Sequence, residues 1–469
     1  MKRTMTAMGI ALMAAGCAGT PDAGPPPGTP DLKAASAPLV QPHIDYSAHT
    51  LANGLRIFVA EDHHAPVFSY ALTYDVGSRD EVEGRTGFAH LFEHMMFQGS
   101  ENVGKAEHFV LISQNGGRMN GTTSFERTNY FATLPANQLE LAFFLEADRM
   151  RSLDLSQENL DNQRHAVKEE RRLRVDNRPY GKVRDILFTL GYDTFGYNHP
   201  TIGSMEDLDA ASLDDVRAFF KRWYVPNNAV LTVVGDVDVD EVVRLAEKYF
   251  GDIPPGTDLP ERTSPKEKLF KGERREVIHD PLAPLPRLDL IYPTVSGNLP
   301  DFYALDLFSR IMGDGSSSRL YQRLVKEDEL VTDIGMYIWR LAGPSPVGFV
   351  SILAPGKDVD EVLRIYDEEL ERAITEGFTQ EELTRARTAL RAELVESFES
   401  SMWLSVRWGQ LIVNFNDPDL INREPEYYNA VTIEDLKRVG GYYLKPSNRG
   451  IVVSLPVEKG GEADGGNQE

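Results

Sequence analysis

The residues best placed by type and spacing to do chemistry are two histidines with a glutamate between them, in the run His90-Leu91-Phe92-Glu93-His94. On a helix, positions i and i+4 share a face about one turn apart, so both imidazoles can reach one metal ion. Glu93, at i+3 from His90, lies on the same side, close to that ion without having to bind it. A carboxylate held there can take a proton from water that the metal activates. Two histidines at this spacing on an apolar helix are also common as packed residues, and the glutamate in its set place is what favours the metal. The other histidines, including the pair His63 and His64, lie outside this pattern and read as surface or packing residues.

Such a motif needs a helix to carry it, and residues 87–97 read as one. Residues 156–175 and 212–224 read as further helices, 67–76 as a strand, and 229–234 as a buried strand closed by Gly235-Asp236. Asn53-Gly54 signals a two-residue hairpin between short strands. Helices and strands alternating in runs predict an α+β fold in mixed layers. Ser212-Leu213-Asp214-Asp215-Val216-Arg217 has a counterpart in Thr432-Ile433-Glu434-Asp435-Leu436-Lys437, with Ser212 and Thr432 both suited to cap a helix. At the same offset Pro226 and Asn228 meet Pro446 and Asn448, each pair leading into an apolar strand. A repeat at that spacing predicts two similarly folded halves, 45–253 and 272–456, joined by a Pro-, Gly- and charge-rich linker at 254–271.

The composition, 41% hydrophobic and 26% charged over 469 residues, suits a globular body. A net charge of −23 without a basic stripe excludes nucleic acid as a partner and is only a weak pointer to basic peptides. At the N-terminus, Lys2 and Arg3 precede an apolar run at 8–15, too short for a membrane span of about 20 residues and typical of a signal peptide over 1–16. Ala14-Ala15-Gly16-Cys17 resembles a bacterial lipobox, although Ala14 stands where Leu is more usual. Lipidation of Cys17 would tether the body through 17–44, a Pro-, Gly-, Ala- and Ser-rich stretch. The expected location is the periplasm, anchored to the envelope at the outer membrane by the N-terminal lipid alone. With Cys17 the one cysteine, the body contains no disulfide; the tail at 457–469 reads as disordered.

Around the motif stand Gly77-Ser78-Arg79-Asp80-Glu81, Gly87-Phe88-Ala89 and Met95-Met96-Phe97-Gln98-Gly99-Ser100. With the stretches at 120–135, 167–181 and 199–235, they make the chain resemble the pitrilysin/insulinase (inverzincin) zinc metallopeptidases, in the branch of the mitochondrial processing peptidase. The resemblance spans nearly the whole body and is specific in its first half. It implies two halves, each a mostly antiparallel sheet with helices packed on it, together forming half of a clamshell. It also implies one zinc ion per chain held by His90, His94 and a third ligand, Glu170, which precedes Arg171 and Arg172. Glu93 is then the catalytic base, and a strand at Asn120 and Gly121 holds a peptide substrate by strand addition. Gln163 stands where many relatives carry another carboxylate.

Relatives also bring an Arg and a Tyr from the second half to the carbonyl oxygen of the substrate. Val325 and Thr332 stand at the matching positions here, and neither replaces them. Either the alignment is displaced, with Arg319, Tyr321 or Arg323 serving, or a related subunit supplies the pair. The second is the expectation: a hetero-oligomer in which this chain carries zinc, a homodimer being the other arrangement. The competing functional reading is a structural or peptide-binding subunit, which the intact Glu93 disfavours.

Overall fold

Two sheets of matching topology organise the chain. The computed structural model describes residues 43–261 and 269–457; the signal segment, Cys17, nearly all of the tether, part of the linker and nearly all of the tail lie outside them. The first sheet contains β1 (Ser47–Thr50), β2 (Arg56–Glu61), β3 (Val67–Tyr74), β4 (Arg118–Thr123), β5 (Thr128–Pro135) and β6 (Ala229–Gly235), in the order β1-β2-β6-β3-β5-β4. The second contains β7 (Arg274–Asp280), β8 (Arg287–Ser296), β9 (Val331–Ile338), β10 (Pro344–Leu353) and β11 (Gly450–Pro456), in the order β7-β11-β8-β10-β9. In each, one parallel pair (β2 with β6, β7 with β11) adjoins antiparallel neighbours. Both sheets are therefore mixed, predominantly antiparallel, and layered with helices, an α+β fold.

The repeated sequence segments fall on equivalent elements. Helices Leu213–Trp223 and Ile433–Tyr443 each open with a capping box, Ser212 with Asp215 and Thr432 with Asp435, and each leads through a short 3-10 turn into β6 or β11. A hydroxyl and a carboxylate satisfying each other's backbone N–H groups fix the helix start locally, which is why this segment repeats most visibly.

Helices Phe88–Met95, Leu139–Ser152, Leu213–Trp223 and Val239–Phe250 build the first core with the sheet. The opposite face of that sheet is covered by a helix from the second half, Ser401–Phe415. There Leu404, Trp408, Leu411 and Ile412 pack with Phe58, Ala60, Val230 and Val234. In return, Val183–Gly191 of the first half lies against the second sheet, where Val183, Leu187 and Phe188 meet Ile291, Leu341 and Val452. The linker thus separates the sheets in sequence but not their packing.

Two local expectations need correction. The hairpin at Asn53-Gly54 has three loop residues rather than two: Leu51 N–H donates to Leu55 O at 2.9 Å, and Gly54, at φ 90°, closes a turn onto Leu51. The helix expected over 156–175 is regular only over Gln157–Arg171, capped by the Ser156 hydroxyl, and then widens into a π-helical segment, Arg172–Asp176.

Candidate metal centre and active site

The helix Phe88–Met95 buries Leu91, Phe92 and Met95 in the first core, which turns His90, Glu93 and His94 to the other side. Its start is unusual. Gly87 sits at φ 85° with no side chain to cap the helix, and Glu81, fully enclosed, does so instead. The Glu81 carboxylate accepts from Gly87 N–H at 2.9 Å and Ala89 N–H at 2.8 Å, and its Oε2 lies 3.0 Å from His199 Nε2. His199 is steadied in turn through Nδ1 on Phe195 O at 2.6 Å. Glu81 and His199 are therefore positioning residues for the motif helix, and the sequence reading missed both roles. They lie inside motif stretches, but nothing local joins two residues so far apart in the chain.

Glu170 reaches the motif from the helix Gln157–Arg171. Its Oε2 lies 3.1 Å from His94 Nε2 and 3.5 Å from His90 Nε2, and one donor atom from each of the three side chains falls within 4.8 Å of the others. Zinc bonds of about 2.0–2.2 Å in a tetrahedron place ligand atoms roughly 3.4 Å apart, so the spacing fits an ion of that kind. The donor set, two imidazoles and one carboxylate, fits it too. Nδ1 of His90 is enclosed without a hydrogen-bond partner among the described residues, leaving Nε2 to face the cluster. Glu169 points away: its side chain is 62% exposed and paired with Arg172, against 16% exposure for Glu170.

Burial, reinforced by the neighbouring His94, pulls the His90 pKa down to about 4, which keeps the imidazole neutral and its lone pair available. Glu170 is held below the ordinary carboxylate range by its contact with His94, against the effect of burial. Arg174, from the π-helical segment, holds the other oxygen of Glu170 at 2.6 Å.

Glu93 stands beside the cluster, its Oε2 accepting from the Thr123 hydroxyl at 2.6 Å. Burial raises its pKa, an effect the Thr123 bond opposes. Thr123 ends β4, the edge strand of the first sheet, with Asn120 and Gly121 on the same strand. Asn120 is exposed and folds its Oδ1 back onto Gly121 N–H at 2.9 Å. Gly121 is buried, and a Cβ there would stand 3.1 Å from Glu93 Cγ and 3.2 Å from the Tyr130 ring, so glycine lets the glutamate pass over the strand. Asn120, Gly121, Thr123 and Gln163 all line one cavity with the three donors and Glu93.

Val325 and Thr332 line neither cavity at the cluster. Val325 packs against the second core, and Thr332 donates to Ile352 O at 3.2 Å. The substitutes are committed elsewhere: Arg319 to Glu382, Arg323 to Asp328, and Tyr321 to the second core.

Residues 56–204 match the profile of the insulinase family, peptidase family M16, and residues 210–390 that of the M16 inactive domain. A zinc protease of Helicobacter pylori, PqqE, is 30% identical over 412 residues, covering 87% of this chain and 92% of the relative. The crystal structure of a protease from Helicobacter pylori superposes with a TM-score of 0.84 at 29% identity, covering 88% of this chain and 100% of that one. The mitochondrial-processing peptidase subunit beta of Lentinula edodes is 24% identical over 409 residues, 84% of this chain and 86% of the relative. With a relative so similar along most of both chains, and with two mixed sheets matching the family's N- and C-terminal domains, the protein belongs to the M16 peptidases, the insulinase/pitrilysin family.

Proposed function

We propose that this chain is a zinc-dependent endopeptidase that hydrolyses short or unfolded peptides in the bacterial envelope. The observation that carries the proposal is the convergence of His90, His94 and Glu170 with a fourth group, Glu93, beside them and free of the donor set. His90, His94 and Glu170 would hold the zinc ion, which would supply Lewis acidity toward a peptide carbonyl and toward water. Glu93 takes the proton of the attacking water and passes it to the leaving amine. Thr123 holds the carboxylate at a fixed angle through the transfer. The free edge of β4 offers backbone donors and acceptors to an extended substrate, with Asn120 and Gly121 as contacts.

The chain would work as the zinc-carrying member of a hetero-oligomer in the branch of the mitochondrial processing peptidase. Support comes from the lack of an Arg/Tyr pair at positions 325 and 332 and from the engagement of Arg319 and Arg323 in other ion pairs. A related subunit closing over β4 would supply the pair. Among the described residues no helix is long and apolar enough to cross a membrane, and attachment through lipidated Cys17 accords with that.

The test is hydrolysis of a quenched fluorescent peptide library by the full-length chain, with zinc content measured alongside. Glu93→Gln should keep one zinc per chain and lose about 10³-fold in turnover, the scale of a removed general base. Zinc bound without turnover, restored by adding a related subunit, would support the hetero-oligomer. No zinc bound would overturn the proposal.

A further inference from the structure

Two cavities meet at the donor cluster and share His90, Thr123, Glu170 and Arg174. One, of about 560 Å³, lies along β4 at Asn120 and Gly121 and has the rings of Phe97 and Phe109 in its wall. The other, of about 750 Å³, begins beyond Thr123, follows residues 124–126 and ends on the second half at residues 338–341.

In a chain of net charge −23, this second cavity is lined by Arg174, Arg178, Arg184 and Arg340. Of the carboxylates that face it, Glu126 and Glu170 are fully engaged and Asp185 is engaged through one oxygen. Glu170 belongs to the donor cluster; Asp185 pairs with Arg171 through Oδ2 at 3.5 Å, also feels the charge of Arg184, and has its Oδ1 enclosed without a hydrogen-bond partner among the described residues. Glu126 accepts from Tyr197, Asn414 and the N–H groups of Ala342 and Gly343, with Arg79 at 3.5 Å. Arg178 and Arg184 are exposed, and their side chains make no ion pair or hydrogen bond among the described residues. Arg340 shares Glu424 with Arg407, two guanidinium groups on one carboxylate; it stacks over the rings of Phe302 and Tyr303, and its enclosed Nε and Nη2 have no hydrogen-bond partner among the described residues. The arginines of the wall outnumber its carboxylates, which leaves an excess of positive charge drawn from both halves.

We infer that this cavity selects an acidic side chain of the substrate, so that the preferred peptides carry Asp or Glu near the scissile bond on the side that runs past Thr123. The inference rests on the peptidase reading of the neighbouring cluster. A peptide added to the edge of β4 passes from one cavity to the other across the donors, and alternate side chains of an extended strand point the same way. Guanidinium forks in a partly enclosed wall suit a carboxylate, which they can bind in a bidentate manner. An arriving lysine would meet like charge with nothing to neutralise it. The overall acidity of the chain, which by itself would favour basic peptides, is thus reversed where the substrate would lie.

The experiment uses the full-length, zinc-loaded chain and fluorescent peptides identical but for Glu, Gln or Lys at each position flanking one cleavable bond. Binding is read by anisotropy with Glu93→Gln, and turnover with the unsubstituted chain. From two exposed ion pairs the expected advantage of Glu over Lys is roughly tenfold, confined to one side of the bond and shrinking with added salt. Arg178→Gln with Arg184→Gln should draw the Glu/Lys binding ratio toward one, and Arg178→Glu with Arg184→Glu should invert it. Both positions are exposed, so folding, checked by circular dichroism and zinc content, should persist. Equal affinity for the Glu and Lys peptides, a ratio indifferent to these substitutions, or no binding of either peptide would overturn the inference. Acidic preference in binding without cleavage, even after a related subunit is added, would sink the peptidase reading and leave the recognition standing; cleavage without charge preference would do the reverse.

Discussion

Arg174 shows how much of the site depends on one side chain outside the motif. It is 70% exposed, so its pairing with Glu170 would mean little for stability, but it holds Oε1 of Glu170 and leaves Oε2 to face the histidines. Partners that orient a metal ligand commonly matter tenfold or more in affinity. Arg174→Ala should therefore weaken zinc binding by about tenfold, read by competition with a chromogenic chelator, with the unfolding midpoint nearly unchanged. Unchanged affinity would mean that the helix Gln157–Arg171 orients Glu170 without help. His90, Glu93 and His94 were legible in the sequence because their relation is local, set by the pitch of one helix. Glu170 could be named only through the family resemblance, and Arg174 and Thr123 not at all. Their contacts depend on where the π-helical segment and the edge strand come to rest, which no spacing in the chain encodes.

The motif helix is short, only Phe88–Met95, and begins at a glycine, so its position depends on what holds its N-terminal N–H groups. Glu81 does this from outside the helix, and His199 compensates the buried charge. Burial works against a charged His199, but the bond to Glu81 outweighs it and holds the pKa above the ordinary 6.5. The sign follows from linkage. A histidine whose folded pKa is raised binds its proton more tightly when folded, so the stability it adds is fully present below pH 6.5 and is lost as pH rises through the folded value. Burial also raises the Glu81 pKa, which acts in the same direction. Breaking a buried pair by removing one partner costs about 3 kcal/mol. His199→Gln should show that loss at pH 6 in denaturant unfolding, and its gap to the unsubstituted chain should narrow as pH rises. A gap constant with pH would mean that His199 acts as a neutral hydrogen-bond partner. Capping by Glu81 escaped the sequence reading because cap signals are sought next to the helix, whereas this carboxylate reaches it across a loop.

At the scale of the whole chain, the repeat implies two halves that fold alike, and the packing shows that neither half is complete. Val183–Gly191 and Ser401–Phe415 occupy corresponding places in the repeat, and each lies on the sheet of the other half. Neither helix was read from the sequence, and a periodic apolar stripe would have stated only that a face is buried, never against which sheet. Trp408 makes the consequence measurable. It is fully buried, with Tyr46 and Phe58 rings at 5.1 and 5.7 Å, and its Nε1–H donates to Pro418 O at 2.9 Å. Although Trp408 belongs to the second half by sequence, its cavity would open beneath β2 and β6, in the sheet that carries the motif helix on its other face. Trp408→Ala should cost about 3–5 kcal/mol, the range for removing a large core aromatic. If the exchanged helices make the halves one cooperative unit, near-ultraviolet circular dichroism and release of bound zinc should shift together to lower denaturant. If the zinc-release midpoint stayed in place while the dichroism moved, the first half would be holding its site alone. The exchange would then be an arrangement of convenience between two independent domains.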